Sequence, residues 1–310
     1  VSLFELTDET MATPNGVVLH RIRAVRDLPE HGVEAGDLGG WVESTDNVFD
    51  RAWVSGNARV SGDARVFGDA RVSGVAWVSG GAWVSGDARV FGDARVSGRA
   101  QVFGNAWVSG DAWVFDNARV FGDARVSGDA RVSGNARVSG NARVSGNARV
   151  FGDAWVFGDA RVFGDAWVFG DAQVFGDAWV SDNACVFGDA RVSGNARVFG
   201  DAQVSGYAYV LGDARVCAPQ DILVIGPIGS ANQWITLART DTGHHLNIGC
   251  WDGTLGELAA EVDRRAADWP DAHRDRWRDE YAAAEQLMRH RADSWRNTPI
   301  CGQQSGLEVW

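Results

Sequence analysis

Between residues 42 and 216 a valine recurs at every sixth position without an insertion or deletion: Val42, Val48, Val54, Val60 and onward to Val216, thirty in phase. Two residues before most of them stands an alanine, and the unit reads A-[RWQ]-V-[SF]-G-[DN]. A period of six fits no helix, whose faces recur at three and four residues, and glycine at this frequency opposes helix formation. In a short strand A-x-V-x both apolar residues face one side and both x positions the other. The Gly-Asp or Gly-Asn that follows makes a corner, because glycine accepts backbone angles that other residues avoid and Asn or Asp tolerates them. Short strands in constant register, joined by such corners, stack as a parallel β-solenoid. No proline occurs between Pro29 and Pro219, as a fully paired ladder requires. A single coil buries too little to offset the entropy of ordering it, so stability has to come from stacking like on like.

The pattern breaks at both ends. Residues 1–40 read as an N-terminal β cap: FELTD, a TPNG turn, the strand GVVLHRIRAV, then GDLGGWVES leading into a first coil made irregular by Asp46 in the alanine position. Such a cap is expected because the open end of a solenoid is a row of edge strands. Residues 217–310 read as a small C-terminal α+β capping domain packed on the last coils. DILVIGPIGS and QWITLARTDTGHHLNIGCW predict three strands, two of them a hairpin about DTGH. TLGELAAEVDRRAADW predicts a helix opened by a capping box of Thr254 and Glu257. A second helix over about 271–296 places Trp277, Tyr281, Ala284, Leu287 and Met288 along one face. GPIGS lacks the lysine and spacing of a phosphate loop and reads as a tight turn.

All 29 basic residues are arginine, and the formal charge of −12 opposes a nucleic-acid-binding surface. Within 41–216 twenty acids nearly balance seventeen arginines, too even a mixture for DNA mimicry. No apolar run approaches the length of a membrane span, and VSLFELTDET has neither the basic nor the apolar region of a signal peptide. Four cysteines (Cys185, Cys217, Cys250, Cys301) are too few and scattered for a disulfide framework. They fit a reducing compartment, with a Cys250–Cys301 bridge as the alternative. These features predict a soluble cytoplasmic protein.

The hexads resemble those of the hexapeptide-repeat family, in which an aliphatic residue points inward with a small residue two positions before it. The resemblance covers about residues 41–216. It implies a left-handed parallel β-helix of about ten triangular coils, three hexads to each. The segments ELTDET, LHRIRAVRDL and AGDLGGWVES resemble the N-terminal module of hexapeptide-repeat proteins commonly encoded by phages and prophages, which implies a phage-encoded protein in the host cytoplasm. The best-known members are acyltransferases, and likeness to them implies a histidine base beside a loop that interrupts the coils. The carbonic anhydrases of the family hold zinc on three histidines. Here residues 41–216 contain no histidine and no inserted loop; His20, His31, His244, His245, His273 and His290 all lie in the terminal segments. A base matched to neutral pH is missing where the family keeps it. The expectation is a non-enzymatic, rod-like structural or interaction element with no cofactor and no metal.

Three further constellations carry candidate chemistry. His244, His245 and Cys250 are metal-ligand types, but adjacent residues of a strand point to opposite faces. Corner residues Asp153, Asp171 and Asp189 fall eighteen apart and form a column that could attract calcium, against the neutralising arginines. The outward hexad positions carry nine Trp and thirteen Phe. Phe151, Phe169 and Phe187 fall on one face in successive coils beside Trp167. Arginine planes stacked on the rings would cover part of such a surface, and a protein interface would cover the rest. This face is therefore the expected interface of a homo-oligomer, with a dimer ahead of the trimer that acyltransferase relatives form. Two alternatives stand beside it. One is an acyltransferase-like enzyme with a cleft near the C-terminal domain lined by His244, His245 and Trp251. The other is a carbohydrate-binding surface built on the tryptophan rows. Neither nucleic acid nor membrane is an expected partner.

Overall fold

The alanine and valine of each hexad point inward, and from Ala52 to Val216 all of them are buried. The outward residue and the valine between successive corners form a two-residue strand, as in Arg89–Val90, Trp107–Val108 and Arg125–Val126. The computed structural model describes residues 3–296 and 298–301. It divides the chain into two units, Val1–Gly170 and Asp171–Trp310.

In the first unit each repeat strand pairs in parallel with the strand three hexads on. Arg89 lies opposite Trp107 and Val90 opposite Val108, and Trp107 and Val108 lie in turn opposite Arg125 and Val126. Residues eighteen apart are therefore in register, three hexads complete a turn, and three parallel sheets result. The N–H of residue i donates to the carbonyl of residue i+17, as from Trp107 to Ala124 and from Ser109 to Val126, both at 2.9 Å. This ladder satisfies the backbone groups that coiling buries. The second unit repeats the register, with Gln173 opposite Arg191, Trp179 opposite Arg197 and Cys185 opposite Gln203. Thirty hexads at three per turn make a β-solenoid of about ten turns.

Three strands precede the repeats: β1 (Phe4–Ala12), β2 (Val18–Ala24) and β3 (Leu38–Val42). β1 and β2 form an antiparallel hairpin, closed by a turn in which Thr13 Oγ1 accepts from Val17 N at 3.1 Å. β2 pairs antiparallel with β3, and β3 pairs in parallel with the repeat strand Arg59–Val60. The hairpin thus occupies the first edge of one sheet. Gly39 is required by crowding here: a Cβ would lie 2.5 Å from Ile22 Cγ1 and 2.6 Å from the Val54 carbonyl oxygen.

The hexad of Asp46 leaves the pattern. Ser44 caps a 3-10 turn over Thr45–Asn47. Asn47, outward by the repeat rule, is buried instead, and its Nδ2 donates to the carbonyls of Gly62 and Ala64 at 2.9 Å. At Ala64 the amide side chain replaces its own backbone N–H, which turns back to the Ser44 carbonyl.

In the second unit the repeats give way to four antiparallel strands, Ile222–Ile228, Gln233–Thr240, Gly243–Ile248 and Trp251–Gly253, one more than the three expected. Two helices follow, α1 (Leu258–Ala266) and α2 (Asp271–Trp295). Ile235, Leu237, Leu246, Ile248, Leu258, Trp269, Tyr281 and Met288 share the core between sheet and helices. Leu287, expected on that face, is 51% exposed. The capping box forms by half: Glu257 Oε2 accepts from Thr254 N and Oγ1, both at 2.8 Å, so the threonine hydroxyl donates outward and α1 begins at Leu258. The sheet seats on the last hexads through a bridge between Ala214 and Thr240, a bond from Tyr209 N to Thr236 Oγ1 (2.9 Å) and an Arg215–Asp241 pair (2.7 Å).

Cys217 and Cys301, 84 residues apart, form a disulfide. This corrects both the expectation of unpaired cysteines and the Cys250–Cys301 alternative. Cys250 is exposed beside a turn of the sheet, whereas Cys217 is buried directly after the last hexad, where residues 300 and 301 return to it. Beside the bridge, buried Asp221 pairs with buried Arg239 at 3.1 Å and accepts from the N–H groups of Cys217 and Ala218. Arg239 also donates to the Trp295 carbonyl at 3.0 Å.

Candidate functional site

Because residues eighteen apart are in register, the outward positions form columns, and each ring meets the residue one turn away. Arg89 and Arg125 lie on either side of Trp107 in sequence register, with guanidinium carbons 5.1 and 4.9 Å from the ring centre. Arg95 and Arg131 do the same for Trp113, at 4.9 and 5.4 Å. Arg137 covers Trp155 and Arg149 covers Trp167; in the second unit Arg197 covers Trp179 at 4.8 Å. The planar, weakly hydrated guanidinium suits this stacking better than an ammonium does.

The expected interface residues are partly brought together. Phe151 and Phe169 stack face to face, centroids 4.9 Å apart and planes within 1°. Trp167 meets both edge-on, at 6.0 and 6.5 Å, and stays 38% exposed although Arg149 lies over it. Phe187 holds the same hexad position in the second unit and is half-buried there. A comparable stack joins Phe103 and Phe121 at 5.0 Å, again at the one-turn spacing.

At the corners the carboxylates find amide partners that the sequence reading missed. Asp153 Oδ1 accepts from Asn135 Nδ2 at 3.0 Å, and the same bond joins Asn105 to Asp123, Asn141 to Asp159 and Asn147 to Asp165. The signal was available: an Asn eighteen residues before an Asp. Asp171 and Asp189 lie exposed in the second unit.

His244 and His245 do point to different surroundings. His244 Nε2 accepts from Leu255 N at 3.1 Å, while His245 Nε2 lies 3.8 Å from Asp252 Oδ2. Burial, with the nearby charges of Arg289, His245 and Arg296, pushes the His244 pKa below the ordinary histidine value, consistent with a neutral ring accepting that bond. His244, but neither His245 nor Trp251, lines a cavity of about 740 Å³ with Arg239, Asp241, Arg289, Asp293 and Arg296. Each arginine there has its own carboxylate: Asp221 for Arg239, Glu285 for Arg289, Asp293 for Arg296. The charges are compensated, and neither serine nor cysteine is among the lining residues. Among the described residues, the group of three metal-ligand types whose donor atoms all lie within 4.8 Å of one another is Cys217, Asp221 and Cys301; its two sulfurs are joined to each other.

The fold and its repeat define the class: a β-solenoid repeat protein. Within that class, the model of the YdcK beta solenoid repeat matches residues 52–66, 82–98, 100–115, 118–133, 130–144, 142–157 and 190–206. No curated protein matches the chain. Among the described residues, no helix is long and apolar enough to cross a membrane.

Proposed function

We propose that this β-solenoid is a structural or protein-interaction element without catalytic activity that self-associates through the face of Phe151, Phe169 and Trp167, with Phe187 as the counterpart at the same hexad position. The observation that carries the reading is the stacked Phe151–Phe169 pair with Trp167 exposed at its flank. The rings hold one another in place before any partner arrives, so little side-chain entropy is lost on association. A two-fold axis uses one patch twice, which favours a dimer over the trimer. Burying such a strip contributes about 25 cal/mol per Å² before association costs.

The absence of any histidine from residues 41–216 supports a role without acyl transfer, cofactor or metal. The hexad likeness supports a left-handed coil. The likeness of ELTDET, LHRIRAVRDL and AGDLGGWVES to phage modules supports a phage-encoded protein working in the host cytoplasm. The charge of −12 supports a protein rather than a nucleic-acid partner.

Sedimentation velocity tests the self-association. The wild type is expected to sediment as a dimer or trimer at micromolar concentration. Phe151→Ser, Phe169→Ser and Phe187→Ser combined, a residue this hexad position accepts elsewhere, are expected to give folded monomers. A monomeric wild type overturns the reading.

A further inference from the structure

Among the described hexad tryptophans, Trp53, Trp77 and Trp83 have no guanidinium over the ring, and of these Trp83 alone is exposed. Trp83 is the most exposed tryptophan among those that stand out of the surface, at 44%. Its register neighbours are Arg65 on one side and Gln101 on the other. Where Trp107 and Trp113 each have arginine on both sides, the glutamine at 101 removes one cation, and Arg65 does not lie over the ring. Trp83 meets only the edge of Phe67, at 6.2 Å.

Its indole N–H is also free. Trp77 and Trp155 donate to serine hydroxyls sixteen residues earlier, Ser61 and Ser139. The residue sixteen before Trp83 is Phe67, which has no acceptor. Among the described residues, neither Trp83 Nε1 nor the Arg65 guanidinium has a protein partner.

These groups meet in a concavity of about 350 Å³ lined by Phe49, Asp50, Arg65, Phe67 and Trp83, within the size usual for small-ligand sites (about 300–1,000 Å³). Asp50 stands at a corner with φ 54°, where most corners have glycine. Its Oδ2 accepts from Gly68 N at 3.2 Å, and among the described residues its Oδ1 has no protein partner. The concavity therefore offers an apolar plate, two unspent donors and one acceptor.

We propose that this concavity binds a pyranose ring of a glycan, the ring's C–H face on Trp83 and its hydroxyls on Arg65, Trp83 Nε1 and Asp50. A sugar ring is the ligand that needs both parts: one face is a patch of C–H groups, and its rim carries hydroxyls that each donate and accept. A purely apolar occupant would desolvate Arg65 and Asp50 without replacing their water. A guanidinium from another protein, the group that covers the other rings, would meet the charge of Arg65 at close range.

Saturation-transfer NMR of the whole chain with maltotriose, chitotriose and trigalacturonic acid, each at millimolar concentration, tests the site. The wild type is expected to transfer saturation to the ring C–H protons of at least one of them. Trp83→Arg, which places the residue found at positions 119 and 137 of the same column, is expected to abolish the transfer with an unchanged circular dichroism spectrum. Arg65→Gln is expected to weaken binding about tenfold or more, as loss of a charge-assisted hydrogen bond does. Trp113→Arg, at a ring already covered on both sides, is expected to leave binding intact. Absence of transfer to all three saccharides, transfer that survives Trp83→Arg, or equal loss in Trp113→Arg each overturns the proposal.

Discussion

The hexad stack and the C-terminal α+β part bury their interiors in opposite ways. In the stack from Ala58 to Val216 the buried hydrophobic residues are valine and alanine alone, and the buried polar side chains of the regular hexads are serines. In the C-terminal part the core mixes Ile235, Leu246, Trp269 and Met288. Charges are buried beside it, Asp221 against Arg239 and Glu261 against Arg265. The stack makes each contact many times over, so register is set by repetition, and a slip of one residue would turn every valine outward at once. The C-terminal part makes each contact once. Its chain path is fixed by features that occur singly: the Cys217–Cys301 bridge, the buried ion pair, and rings of unlike shape. Three substitutions or titrations break or sharpen this contrast.

The largest effect belongs to the stack's interior. Val138 is fully buried among valines and alanines, and its sheet neighbours in register are Val120 and Val156. Val138→Asp places a carboxylate where repetition supplies neither a donor nor a cation at any level. An uncompensated buried charge costs more than a domain's margin of stability, and soluble protein is not expected. Recovery of a soluble mutant with the wild-type circular dichroism spectrum would falsify the inward facing of the valines.

This contrast also explains what could be read in advance. The inward Ala and Val, the corner glycines and the stacking of arginine on tryptophan all follow from a six-residue period and its one-turn multiple, because a repeat states its own neighbours. Asn47 escaped because its hexad has an aspartate in the alanine position, and the side chain took over a backbone bond. The partners of Asp153 and Trp77 were readable by counting eighteen or sixteen residues, a rule that becomes visible once three hexads are known to close a turn. The C-terminal part offered no such rule. The Cys217–Cys301 pairing spans 84 residues and depends on where the chain returns after α2, which local pattern does not encode. Leu287 fits the apolar stripe of α2 but stays exposed, outside the core that Tyr281, Ala284 and Met288 share.

A smaller effect is expected at the stack's corners. Gly134 has φ +66°, and a Cβ there would come within 2.9 Å of Gly152 N. Left-handed backbone costs about 1–2 kcal/mol for a residue with a Cβ, and the corner one turn on must also shift. Gly134→Ala is expected to destabilise by about 2 kcal/mol, read as a lower midpoint of thermal unfolding. Aspartate already stands at three equivalent corners, Asp50 at φ 54°, Asp116 at φ 60° and Asp182 at φ 58°. Each accepts from the glycine N–H one turn away, Gly68, Gly134 and Gly200. Gly134→Asp should therefore cost less than Gly134→Ala; the reverse order would show that the hydrogen bond, and not the angle, is irrelevant to corner choice.

The smallest effect separates the two parts by pH. Glu261 on α1 is held at a pKa of about 2, first by hydrogen bonds from Arg264 and, against the opposing effect of burial, by Arg265. The carboxylate accepts from Arg264 Nε at 2.7 Å and from Arg265 Nε at 2.6 Å. A folded pKa below the unfolded one means that the ionised form favours the folded state. The contribution is whole above the unfolded value of 4.5 and is lost as the pH falls from there toward about 2. The arginines cover Glu261 close to the surface, where screening reduces the contribution to about 1 kcal/mol. Hydrogen exchange of α1 amides, corrected for the intrinsic rate at each pH, should show protection fading across that interval. In Glu261→Gln the same amides should start less protected and lose that acid-dependent step. An α1 profile with the same step in Glu261→Gln would assign the acid sensitivity to another group and remove this carboxylate from the features that fix the C-terminal part.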